Sequence, residues 1–316
     1  MADSTEEAFY GIYLLFLTSL YGLATLAGFL VQSFIVAVNV IDWLKQKSIG
    51  AVDKMITFLG ISRIFFHTAV LLYSISKLYN IRIPEIVITL NQFIMNISNL
   101  ASIWLASLLS IFFYVKISTF HNAFFLHVKA IILKRVTYLI IGSVLLSLGY
   151  TFIYFMALPD NSFWNGTQDD ISYNREKKIL MYGNILCNSF PVLLFLIASL
   201  LQVILLVFHM RRMNNGGKVT SSTDTYHRIM KFTVLSFMVC AFYTLVNLFQ
   251  MLIKLINLNW FLFTLSIFQA LHSVLLIYVT MKLRNQFFRV VHCRTDRLFN
   301  RKALGPHPIQ RVEMTP

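Results

Sequence analysis

Seven long apolar runs divide the chain, at Phe9–Ile41, Met55–Tyr79, Ile86–Val115, Val136–Leu158, Ile179–Phe208, Phe232–Ile256 and Trp260–Met281. Each meets the roughly 20 residues a helix needs to cross a hydrocarbon core. In lipid the backbone must satisfy its own hydrogen bonds, which leaves helices or a closed barrel. Barrel strands would be shorter and would alternate apolar with polar residues. The pattern therefore predicts an all-α membrane protein, a seven-transmembrane helix bundle. It assigns residues 1–300 to the bundle with an amphipathic carboxyl-terminal segment, and 301–316 to a disordered cytoplasmic tail.

Composition agrees. Of 316 residues 57% are hydrophobic and 13% charged, with 29 Phe and 14 Tyr, against about 45–50% and 25% in soluble domains. Mean hydropathy is +0.69. The net charge of +14 does not point to nucleic acid, because the basic residues fall in short clusters between the apolar runs and not on one water-facing surface. Membrane lipid is the expected contact. Cys187, Cys240 and Cys293 form no CxxC pair or Cys/His cluster, so no disulfide framework, metal or other cofactor is expected. The start, MADSTEEAFY, lacks the basic n-region of a cleaved signal peptide, so the first run is expected to stay in the protein.

Charge then orients the bundle. The connections after runs one, three, five and seven carry 20 Lys and Arg; the other side carries 6, together with acidic residues such as Glu6, Glu7, Glu85, Asp169 and Asp170. The positive-inside rule sets the amino terminus outside and the carboxyl terminus in the cytoplasm, as for a multi-pass protein of the plasma membrane. Asn165-Gly166-Thr167 is an N-glycosylation acceptor, and it falls on the expected outer side. Asn96-Ile97-Ser98 has the same pattern inside run three, beyond a transferase's reach.

The interior excludes several chemistries. All thirteen acidic residues lie outside the runs, so no span offers a carboxylate to carry protons or sodium. The last span has no lysine for a retinal Schiff base. HExxH and GxSxG are absent, and enzyme activity is not expected. A transporter or channel, the alternative of another class, would show repeats, charged pore residues or broken helices; only Pro191 interrupts a span. The one charge deep in the apolar region is Arg63, in GISRIFFHT. It costs at least about 2.5–3.5 kcal/mol unless partners or water reach it, so it faces the bundle. With no acid available its partners must be neutral dipoles; Asn39, Thr280 and backbone carbonyls are the candidates. It acts either as a tether between helices or as a switch element. His67, one turn on, shares its face.

Several blocks resemble one family. Val38–Ile64 reads VNVIDWLKQKSIGAVDKMITFLGISRI, similar to the LVNxIDW…LAISRI pattern of the bitter taste receptors, the type 2 taste receptors among the G-protein-coupled receptors. Trp104–Phe120 (WLASLLSIFFYVKISTF), Phe125–Lys129 (FLHVK), His209–Met213 (HMRRM) and His272–Arg284 (HSVLLIYVTMKLR) resemble further blocks in the same order. DRY and NPxxY are absent. Vomeronasal type 1 pheromone receptors are the neighbouring alternative, and the IDW loop and HSxxL ending favour taste. The sequence departs from the family at Thr280, where Asn is usual, and at Gln32, Met95 and Ser74.

The resemblance implies an outward cavity for small bitter molecules and a heterotrimeric G protein of the gustducin or inhibitory type as partner. Its implied pocket residues are Met95 and Asn99 in span three, Tyr243 and Val246 in span six, and Leu262 and Leu265 in span seven. Asn39, Arg63, His272 and Thr280 are the structural or switch positions. Lys116, His127, Lys129, His209, Arg211, Arg212 and His227 line the cytoplasmic connections; topology and lipid headgroups explain most of that charge, and a subset is expected to face the G protein. Asn285–Phe299 is expected to form an amphipathic eighth helix, with Cys293 either palmitoylated or a free thiol.

Overall fold

The computed structural model describes residues 2–46, 50–79, 81–118, 123–156, 171–214, 221–253 and 258–290. These form α1 (Ala2–Gln46), α2 (Ala51–Leu78), α3 (Glu85–Ile117), α4 (Ala123–Lys134), α5 (Val136–Met156), α6 (Ile171–Asn214), α7 (Ser221–Ile253) and α8 (Leu258–Val279), followed by a helical stretch, α9, over 281–290. No strand occurs among the described residues. Each apolar run falls on its own helix, to within a few residues at the ends. Six helices, α1, α2, α3, α5, α6 and α8, are long and apolar enough to cross a bilayer, and α7 carries a shorter apolar stretch, Ile229–Leu245, among the described residues.

The helices close a ring. α1 packs on α2 and α2 on α3; α3 passes to α6, and α6, α7 and α8 follow in turn until α8 returns to α1. α5 lies against α3 and α2. One end of the bundle, where α1, α3, α6 and α8 finish, carries the basic connections and is called here the basic face. α4, in the second of those connections, between spans three and four, was not expected as a helix; it is a short element joined directly to α5 through Arg135.

Two local features set how closely the helices approach. Along α1 the buried positions Thr18, Tyr21, Thr25, Gly28, Gln32, Ile35 and Asn39 alternate three- and four-residue steps, the spacing of a coiled-coil seam. α8 answers with Leu262, Ser266, Gln269, Ser273 and Leu276. The two helices run parallel with a constant offset, so Thr25 Oγ1 donates to Ser266 Oγ at 3.1 Å and, seven residues further on each helix, Gln32 Nε2 donates to Ser273 Oγ. Gly28 lets α2 come close, since a Cβ there would lie 2.5 Å from the His67 ring, and a Cβ on Gly60 would lie 2.7 Å from Val36 Cγ2.

α6 continues through Pro191. Proline has no N–H to give the preceding turn; beside it, Ser107 of α3 donates its hydroxyl to the Pro191 carbonyl and ties α3 to α6 at this point.

Candidate functional site

Arg63 stands midway along α2 and is fully buried. Its Nε donates to Ser102 Oγ of α3 at 3.0 Å. Its Nη1 faces three acceptors on α8: the Gln269 carbonyl at 3.3 Å, His272 Nδ1 at 3.3 Å and Ser273 Oγ. The expectation of neutral dipoles holds, but the named side chains do not. Asn39 accepts from Lys282 Nζ at 3.1 Å, and Thr280 lies at the junction of α8 and α9, its N–H bonded to Leu276 O. Both sit near the basic face, about two turns beyond Gln32 and Ser273, which lie level with Arg63. Hydrogen bonds to charged groups contribute about 1.5–3 kcal/mol each, so two of the four acceptors already offset the minimal cost of a charge at that depth.

His272 extends this layer. Arginine has no acceptor, so His272 Nδ1 must receive the Arg63 hydrogen and the ring must carry its proton on Nε2. The ring centroid lies 5.9 Å from Phe195 of α6, 6.4 Å from Phe232 of α7 and 6.3 Å from Phe268 of α8. One imidazole thus connects the α2 charge to the aromatic rings of α6 and α7. His67 shares the Arg63 face as expected; its two ring nitrogens are buried without a hydrogen-bond partner.

Of the six expected pocket residues, Asn99 borders open space. With Asn96, Tyr150, Thr151, Tyr154 and Asn188 it lines a small cavity between α3, α5 and α6, in the half of the bundle away from the basic face. Its Oδ1 accepts from Gln269 Nε2 of α8 at 3.2 Å, and Gln269 is the residue whose carbonyl receives Arg63. Tyr243 stacks on Phe268 at 4.5 Å. Leu262 and Leu265 are buried in the packed core, with Met95 half-buried against it. Val246 is on α7, its side chain outside the described residues. Asn99 and Tyr243, expected on one cavity, meet neighbouring residues of α8, Gln269 and Phe268.

At the basic face Lys282 joins three elements, 3.1 Å from Asp42 of α1 and 3.4 Å from Asp53 of α2, with Asn39 completing its shell. Lys129 of α4 donates to the Ser118 carbonyl at 2.7 Å, closing the end of α3. Lys116, His127 and Arg211 are exposed there and His209 is half-buried. Arg212 and His227 lie on α6 and α7 with side chains outside the described residues, as do Asn165 and Cys293 altogether. α9 starts four residues before the expected eighth helix, and its Phe287 meets Phe34 of α1 edge-on at 5.8 Å.

The family profile of the taste receptor protein (TAS2R) matches residues 9–295, which takes in all seven spans. The chain belongs to the TAS2R taste receptor family. It is 29% identical over 278 residues to taste receptor type 2 member 30 of Pan paniscus, covering 82% of this chain and 85% of that protein. Putative taste receptor type 2 member 33 of Homo sapiens is 30% identical over 277 residues (82% and 87%), and member 129 of Mus musculus 28% over 285 residues (84% and 87%). The family consists of G-protein-coupled receptors, not enzymes, and the match favours the taste over the vomeronasal reading.

The residues of this receptor that sequence reading missed are Ser102, Gln269, Ser273 and Lys282. Serine and glutamine in a span give no local signal. Lys282 was counted as topology charge; its pairing with Asp42 and Asp53 depends on the meeting of α1, α2 and α9.

Proposed function

We propose that this TAS2R receptor binds small bitter-type molecules in the cavity at Asn99 and transmits occupancy through Gln269, Arg63 and His272 to α6 and α7. The chain of contacts from Asn99 to Gln269 to Arg63 to His272 carries the proposal. It joins a cavity in one half of the bundle to the helices whose displacement opens the other half. A ligand shifts this equilibrium only if it binds the active arrangement better than the resting one. A molecule that takes the Asn99 amide for itself would do so by releasing Gln269. Asn99 is the proposed contact on that cavity; Tyr243, Met95, Val246, Leu262 and Leu265 are proposed to join it in the ligand-bound arrangement, with Asn39, Arg63, His272 and Thr280 as structural or switch positions.

The basic face is proposed as cytoplasmic, from the 20-to-6 distribution of Lys and Arg and the positive-inside rule. A subset of Lys116, His127, Lys129, His209, Arg211, Arg212 and His227 meets the heterotrimeric G protein, of the gustducin or inhibitory type. Lys129 is the weakest member, because its ammonium is already committed to Ser118. Calcium release should be recorded from cells that carry the receptor and a promiscuous G protein, against a library of bitter compounds. At least one compound should give a saturable signal absent from mock cells; silence across the library at verified surface expression would oppose the proposal.

A further inference from the structure

The centre of the bundle holds a positive charge for which the spans supply no negative one. We propose that Arg63 binds a small monovalent anion, chloride in physiological media, in the mid-bundle cavity that it lines. That cavity, with room for about one water-sized particle, is bounded by Arg63, Ser102, Ser107, Phe195, Cys240 and Phe268 among others. It is distinct from the cavity at Asn99.

Three observations converge. Arg63 is fully buried and its Nη2 has no hydrogen-bond partner, while Nε and Nη1 are satisfied by α3 and α8. Ser102 accepts from Nε, which leaves its own hydroxyl proton to give. No Asp or Glu lies in any of the seven apolar runs. Guanidinium offers donors alone and Ser102 has a hydroxyl proton to give, so the wall around Arg63 is made of donors; Ser107, whose proton goes to backbone carbonyls, and apolar side chains complete the lining. A cation is repelled there, and a zwitterion finds no acceptor for its positive end. Water would satisfy the N–H groups and leave the charge unpaired. In a low-dielectric setting an opposite charge at contact distance is favoured over a dipole. A monatomic anion needs no shape complementarity beyond that space, whereas the apolar wall gives the extra oxygens of a larger oxyanion no donor.

Purified receptor in lipid nanodiscs, without agonist, should be unfolded thermally in sodium chloride, sodium bromide or sodium gluconate at equal ionic strength. A ligand that binds only the folded state raises the midpoint saturably. Chloride and bromide should raise it by about 2–4 °C over gluconate. Ser102→Ala should lose most of that increment. Ser107→Ala, at a second serine lining the same cavity whose hydroxyl is already given to the Ile103 and Pro191 carbonyls, should keep it. Equal midpoints in chloride and gluconate would overturn the proposal, and so would an undiminished chloride response in Ser102→Ala. Neither result bears on the agonist assignment, since no agonist enters the measurement.

Discussion

Arg63 collects acceptors from α3 and α8, so removing it releases two helices at once. Arg63→Ala should lower surface level or signalling without creating a new ligand preference; unchanged potency, efficacy and surface level, read by surface labelling and calcium release, would remove its organising role. Asn99 and Tyr243 differ from it in bordering the proposed ligand. Truncating a buried hydrogen-bonding partner costs about 1–3 kcal/mol. Asn99→Ala or Tyr243→Phe should therefore weaken polar agonists by roughly ten- to a hundredfold at near-normal surface expression, with apolar agonists less affected. Equal loss for every agonist would assign both residues to the activation step. At this scale the sequence was informative in proportion to chemical rarity. A lone charge among apolar residues announced Arg63 and its need for neutral partners. Which dipoles serve it depended on the register of α2 against α8, and Asn39 and Thr280 lie too near the basic face to reach it.

The helices were legible because lipid imposes a length and an apolar composition on each. α4 was not, since AFFLHVKAIILK is too short and too basic to register as a span and its packing against α3 is tertiary. The α1–α8 seam also went unread: Thr25, Gln32 and Asn39 recur every seven residues, as do Ser266, Ser273 and Thr280, but the repeat has meaning only once the two helices are known to run side by side. The glycine that sets the α1–α2 distance gives a test. Gly28→Ala places a methyl group against the buried His67 ring, and overpacking of this kind costs about 1–3 kcal/mol. Surface level should fall, while the receptors that reach the surface keep wild-type potency. Gly22→Ala, with open space around it, should behave as wild type. A normal Gly28→Ala surface level, by flow cytometry, would show that α1 and α2 do not approach so closely.

For the molecule as a whole, sidedness comes first. Deglycosylation should shift the gel mobility of the wild-type receptor and not that of Asn165→Gln, and an amino-terminal tag should be reachable on intact cells; access to the carboxyl terminus alone would reverse the orientation. Composition made the helical membrane bundle legible at this scale, because the bilayer acts on the entire chain. The proposed coupling between the two halves of the bundle was hidden, since its contacts come from three helices that no single run contains. Its most direct test is His272→Phe, which keeps an aromatic ring among Phe195, Phe232 and Phe268 and removes the one imidazole acceptor of Arg63. Agonist binding and G-protein activation should be measured on the same membranes at matched receptor density. Affinity retained within about threefold, with activation reduced by about tenfold or more, is the expected result for coupling energies of 1–3 kcal/mol. Wild-type activation in His272→Phe would contradict transmission through this layer.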